Sequence, residues 1–144
     1  MVKYRLKSVV LSALCLLFGL LIYVFMRSET NFHFLLPDET RSFLFGISSA
    51  VPDNFLTDFI RFWFVDFLWG MSLTFALISV TTEATKKKFI FSSCVSFAAG
   101  VLFETAQLFS LVSGTFDILD IFMYAAASLL CAAVSIKLFL RCRV

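Results

Sequence analysis

Apolar residues run through this chain in four long blocks, not in short two-residue alternations. The blocks span 9–26, 62–80, 89–111 and 118–140, and each holds between 18 and 23 residues. A helix needs about 20 apolar residues to cross a hydrocarbon layer of about 30 Å, so each block is the length of one membrane crossing. The pattern therefore predicts an all-α membrane protein: a four-transmembrane-helix bundle forming a single domain over 1–144. The first connection is the longest, from Arg27 to Arg61, with Pro37 and Pro52 as breakers. Its middle, 40–50, holds Phe43, Leu44, Phe45 and Ile47. That predicts a short interfacial helix lying on the outer membrane surface. The second connection is a short basic turn, and the third is built around Ser113-Gly114-Thr115, so neighbouring spans run antiparallel.

Composition agrees with lipid as the main solvent. Hydrophobic residues make up 60 % of the chain and charged residues 15 %, and a small soluble domain could not hide that much apolar surface. Charge placement then sets the orientation. Lys3, Arg5, Lys7, Lys86, Lys87, Lys88, Lys137, Arg141 and Arg143 fall on one side, and Arg27, Arg41 and Arg61 on the other. The excess of Lys and Arg belongs inside, which places both termini in the cytoplasm. The first block has a basic flank like a signal peptide, but it is long and Met26-Arg27-Ser28-Glu29 offers no small-x-small cleavage site, so an uncleaved span is expected. Acids distribute the opposite way, and only Glu83 lies on the basic side. Acids contribute little to orientation, so their gathering at the outer end points to work done there. Trp63 and Trp69, near the start of the second block, fit an aromatic belt at the membrane surface. Basic patches interleaved with exposed aromatics are absent, which excludes nucleic acid as a partner. Cys15, Cys94, Cys131 and Cys142 have no metal-ligand spacing and read as small packing residues, with Cys142 in a basic tail.

At helical spacing each block shows one small or polar stripe: Ser8, Ser12, Cys15, Gly19 and Tyr23 in the first, and Asp66, Gly70 and Thr74 in the second. The third gives Ser93, Ser96, Gly100, Glu104 and Gln107; the fourth gives Asp117, Asp120, Tyr124, Ser128, Cys131 and Ser135. Small residues in lipid let helix backbones approach, so most of each stripe is packing surface. The carboxylates need another account, because an acid within the bilayer is costly and marks a functional site by default. Asp117 has an ordinary role available as an N-cap of the fourth helix. Glu104, Asp117 and Asp120 are the candidate catalytic residues; Asp66, Gln107 and Tyr124 are the candidate substrate-binding residues. Close carboxylates can share a proton and act as an acid–base pair. Alternatively they bind a divalent cation such as Mg²⁺ or Mn²⁺, or they are simply neutralised by Arg41 or Arg61. No cofactor motif is present, and His33, in the outer loop, reads as solvated.

Glu104-Thr-Ala-Gln107 followed by Gly114-Thr-Phe116-Asp117-Ile-Leu-Asp120 resembles the signature of the VanZ-like membrane protein family, as does Val65-Asp66-Phe67-Leu68-Trp69 after Pro52-Asp53. The resemblance covers roughly 35–130. Tyr124 stands where that family commonly has Asn, Ser128 where it often has Gly, and the turn lacks the Arg of many members. The resemblance implies a bacterial cytoplasmic-membrane protein of the cell envelope, linked to resistance to the glycopeptide teicoplanin. Three functions follow as expectations. The first is an outward acidic pocket that binds or modifies a lipid-linked envelope precursor or cell-wall component. The second is a non-enzymatic accessory subunit, and the third is a small transporter or ion pathway.

Overall fold

A computed structural model describes residues 2–27 and 36–140, and its described residues are helical with short connections. His33, Glu29 and Cys142 lie outside the described residues. Helix α1 spans Val2–Met26 and α2 spans Asp38–Ala50. A continuous helical stretch follows: α3 over Phe55–Asp58, a π-helical segment over Phe59–Phe64, and α4 over Val65–Val80. Helix α5 spans Lys86–Leu108, and α6 spans Ile118–Ser135 and runs on into a π-helical segment, Ile136–Leu140. Four of these stretches are long and apolar enough to cross a membrane: Tyr4–Met26, Phe55–Val80, Lys86–Leu108 and Ile118–Leu138. The protein is thus an all-α, four-helix membrane bundle, with a short helix in its first connection.

The helix ends differ from the apolar blocks where caps decide them. The second crossing begins at Asn54, not at 62. Asn54 Oδ1 accepts from Thr57 N at 3.0 Å, while Thr57 Oγ1 accepts from Asn54 N at 3.1 Å. This reciprocal box fixes a helix start that hydropathy does not register. The third crossing begins at Thr85, whose hydroxyl accepts from Lys88 N at 3.3 Å, and closes at Leu108, three residues before the apolar block ends. Ser110 turns left-handed at φ 54°, Leu111 N bonds Ala106 O at 2.8 Å, and Ser110 N bonds Gln107 O at 2.9 Å. These paired bonds terminate a helix by satisfying its last carbonyls.

Helices α4, α5 and α6 pack against one another, and α1 lies chiefly along α4. The stripes face these contacts. Ser12 Oγ donates to Ser72 O at 2.9 Å, joining α1 to α4. Ser96 Oγ donates to Gly70 O at 3.3 Å, joining α5 to α4. Where the end of α4 meets the start of α5, the bundle is filled by Phe75, Ile78, Phe89 and Tyr4, and the Tyr4 hydroxyl donates to Thr81 O at 2.7 Å. Apolar surface elsewhere remains open, as Leu17, Phe91, Leu102 and Leu129 illustrate, and lipid is the medium that accepts it.

Candidate functional site

The opposite end of the bundle, where α1 and α5 finish and α6 begins, is not filled. It holds a cleft of about 620 Å³, within the size range of small-molecule sites. Asp66 of α4, Glu104 and Gln107 of α5, Asp117 before α6 and Asp120 within it all line this cleft. Five of the six residues singled out in the sequence therefore share one wall system. The sixth, Tyr124, stands behind Asp66 and does not line the cleft. Its hydroxyl donates to Asp66 Oδ1 at 3.2 Å, and its ring fills the space that Gly70 and Gly100 leave by lacking side chains. Tyr124 positions an acid and joins α6 to α4 and α5.

Each carboxylate has a different degree of commitment. Asp117 is the most engaged. Its Oδ1 accepts from Leu119 N at 2.9 Å, which caps α6, and its Oδ2 accepts from Trp63 Nε1 at 2.9 Å. Its own backbone N–H donates to Glu104 Oε2 at 3.3 Å. Glu104 is only 2 % exposed, yet it lines the cleft and its Oε1 makes no hydrogen bond among the described residues. Asp66 keeps Oδ2 free in the same sense. The Asp120 side chain makes no hydrogen bond or ion pair among the described residues. Asp117 thus holds the loop, while Asp66, Glu104 and Asp120 offer acceptor atoms to the cleft.

Among the described residues, the alternative of neutralisation by Arg61 is not realised. Arg41 pairs with Asp38 at 3.5 Å, and Arg61 pairs with Asp53 at 3.4 Å and Asp58 at 3.9 Å. Both stay with acids close in sequence, because i, i+3 and neighbouring-turn partners lie within reach without any tertiary contact. The basic residue that lines the cleft is Arg27, at the end of α1. Its guanidinium lies 5.2 Å from the ring centres of both Tyr23 and Phe62, and Nε donates to Arg61 O at 3.1 Å. Cation–π contact and a carbonyl bond hold it at the rim. The turn between α5 and α6 carries no cation; α1 brings one from across the cleft.

Sequence reasoning also missed the aromatic walls. Trp63 and Trp69, expected to anchor the chain in the membrane surface, both line the cleft. Trp63 sits in the π-helical segment Phe59–Phe64, and its Nε1 donates to Asp117 Oδ2 at 2.9 Å; such segments recur at functional sites. Trp69 is set against α1 at Gly19, where an added Cβ would lie 2.6 Å from its Nε1. The indole N–H of Trp69 is buried and without a partner. Spacing gave one clue: Asp66 and Trp69 are three residues apart, and so are Trp63 and Asp66, which puts all three on one helical face.

Gly114 adopts φ +142°, and a Cβ there would lie 2.6 Å from Gln107 Nε2, so the turn folds directly against the Gln107 amide. Among the described residues, no group of three or more His, Cys, Asp and Glu side chains gathers closely enough to hold a metal ion. The four carboxylates of the cleft nonetheless lie near enough to act on one another electrostatically. No family model, curated protein or solved structure matches the chain.

Proposed function

We propose that this chain is a VanZ-like protein of the bacterial cytoplasmic membrane, with both termini in the cytoplasm. Its cleft faces outward and binds or modifies a lipid-linked or cell-wall component of the envelope, with glycopeptide resistance as the associated phenotype. The observation that carries this reading is the open cleft of about 620 Å³ in which Asp66, Glu104 and Asp120 keep unpaired carboxylate oxygens. Carboxylates held inside an apolar bundle are expensive, and purely structural acids would be expected to use all their acceptors. In a modifying reaction, Glu104 and Asp120 are the pair suited to proton transfer, and Asp117 keeps the loop in register. The orientation rests on the Lys and Arg distribution.

A non-enzymatic accessory subunit is the second reading, and the three bonds made by Asp117 favour it, because they show one acid of the cluster acting as structural glue. A transport path has less support. The end opposite the cleft is closed by Ile78 and Phe89, both 0 % exposed, and Phe75 at 2 %.

Glu104→Gln decides between the first two readings. The side chain keeps its shape and can still accept from Asp117 N. Membrane abundance and melting temperature are expected to stay near those of the parent, while any protection against glycopeptides is lost. If abundance and protection fall together, Glu104 is packing and the accessory reading takes over. If neither changes, the cleft is not the working site.

A further inference from the structure

The chemistry of the cleft lining goes further than the presence of a ligand. Four carboxylates line the cleft and one guanidinium does. That guanidinium is already engaged by two aromatic rings and two backbone carbonyls, and it forms no ion pair with a cleft acid among the described residues. Arg27 acts through space on Asp66 and Asp120, but one guanidinium does not offset four carboxylates. Glu104 makes the point most sharply: it is 2 % exposed and still presents an unpartnered Oε1 in a cavity wall. Among the described residues no three acids gather into a metal-coordinating group. A cleft of about 620 Å³ also has room for a molecule, not merely an ion. Trp63 and Trp69 line the same cleft, and aromatic rings favour organic cations.

We infer that the cleft recognises a ligand bearing a primary ammonium group, held by one or two of the free carboxylates of Asp66, Glu104 and Asp120, in the cleft that Trp63 and Trp69 also line. The inference rests on the binding reading above and names the chemical class of ligand for that site. A primary ammonium is a compact cation with three donors, and one or two of these unpaired carboxylates suffice to hold it. The amine has two possible sources, a soluble amino sugar or the head group of an aminophospholipid, and the two share this recognition chemistry.

The chain holds two tryptophans in all, and both line the cleft, so their emission reports this site. The full chain in nanodiscs of phosphatidylglycerol is titrated with glucosamine and, in parallel, with N-acetylglucosamine, which has the same ring without the ammonium. A saturable emission change with glucosamine is expected, with acetylation raising the half-saturation concentration at least about tenfold. Asp120→Asn, whose side chain makes no bond to be lost, is expected to weaken glucosamine by a similar factor; Glu104→Gln gives the second variant. Discs containing phosphatidylethanolamine separate the sources. If they shift the emission by themselves and blunt the glucosamine response, the amine is lipid-borne; if glucosamine acts equally in both discs, it is soluble. Both results support the inference. An equal response to the acetylated sugar overturns it while leaving the binding reading intact. Silence toward glucosamine in both discs and no emission difference between the discs also overturn it, and the susceptibility of Glu104→Gln cells then judges the binding reading separately.

Discussion

The Tyr124 hydroxyl donates a hydrogen bond of 3.2 Å to Asp66 Oδ1. One bond thus ties α6 to α4 at the floor of the cleft and leaves Asp66 Oδ2 for the cleft itself. Tyr124→Phe removes the donor and keeps the ring. Interhelical hydrogen bonds in membranes contribute about 0.6 kcal/mol on average and up to about 1.7, and a charged acceptor belongs at the upper part of that range. Tyr124→Phe is expected to destabilise the detergent-solubilised protein by about 1 kcal/mol. A double-mutant cycle with Asp66→Asn, followed by thermal unfolding, checks whether the loss comes from this pair. Strictly additive losses would mean that the two groups do not interact.

The ring of Tyr124 depends on two glycines, and they are unequally tight. A Cβ at Gly100 would lie 2.5 Å from Tyr124 Cγ, whereas one at Gly70 would lie 3.0 Å from Tyr124 Cδ1 and 3.1 Å from Ala127 Cβ. Overpacking a close helix contact costs about 1–3 kcal/mol. Gly100→Ala is expected to fall at the upper end, Gly70→Ala lower, and Gly46→Ala to be neutral or better, since nothing lies within 4 Å of its added Cβ. Melting temperatures of the three variants rank the contacts. A Gly100→Ala protein as stable as its parent would show that Tyr124 does not occupy this groove.

Much of this architecture is legible in the sequence, and the reasons it stops being legible are physical. Four crossings follow from the length of apolar runs, because a bilayer accepts little else. Stripes such as Ser12, Gly70, Ser96 and Gly100 follow from the 3.6-residue period, and they do face neighbouring helices. The co-location of Asp66, Glu104, Gln107, Asp117 and Asp120 follows from their shared depth. Helix ends at Asn54 and Ser110 do not follow from hydropathy, because caps and left-handed turns are local backbone chemistry. The role of Arg27 was hidden for a different reason. It ends an apolar block as a flanking arginine commonly does, and only the packing of α1 along α4 brings it to the cleft. Trp63 and Trp69 were equally ambiguous, since an aromatic near a span end suits a membrane surface and a ligand wall alike.

Asp117 separates structural from chemical roles by variant choice. Asn at an N-cap retains an oxygen for Leu119 N but turns its NH2 toward the Trp63 indole N–H, which only donates, so it keeps the cap and loses the indole bond; Ala loses both. Loss of a cap costs about 0.5–2 kcal/mol. Asp117→Ala is expected to lower stability by about 1–2 kcal/mol and to change the emission of Trp63, whose Nε1 lies 2.9 Å from Asp117 Oδ2. Asp117→Asn is expected to keep most of the stability that the cap supplies while still changing the emission of Trp63. Equal losses of stability in both variants would show that the capping oxygen does not carry the effect.

Orientation is the expectation on which an outward cleft depends, and it is open to direct labelling. Ser113 lies in the turn at the cleft end and Glu83 in the turn at the opposite end, and both are exposed. In a background with Cys15, Cys94, Cys131 and Cys142 replaced by alanine, Ser113→Cys and Glu83→Cys each present one thiol. A membrane-impermeant maleimide added to intact spheroplasts is expected to label Ser113→Cys and to reach Glu83→Cys only after lysis. The physical basis is the excess of Lys and Arg on the Glu83 side, where Lys86, Lys87 and Lys88 resist translocation. The reverse labelling pattern would turn the cleft toward the cytoplasm. An extracytoplasmic envelope component could then no longer reach Asp66, Glu104 and Asp120, and the ligand would have to be sought among cytoplasmic amines.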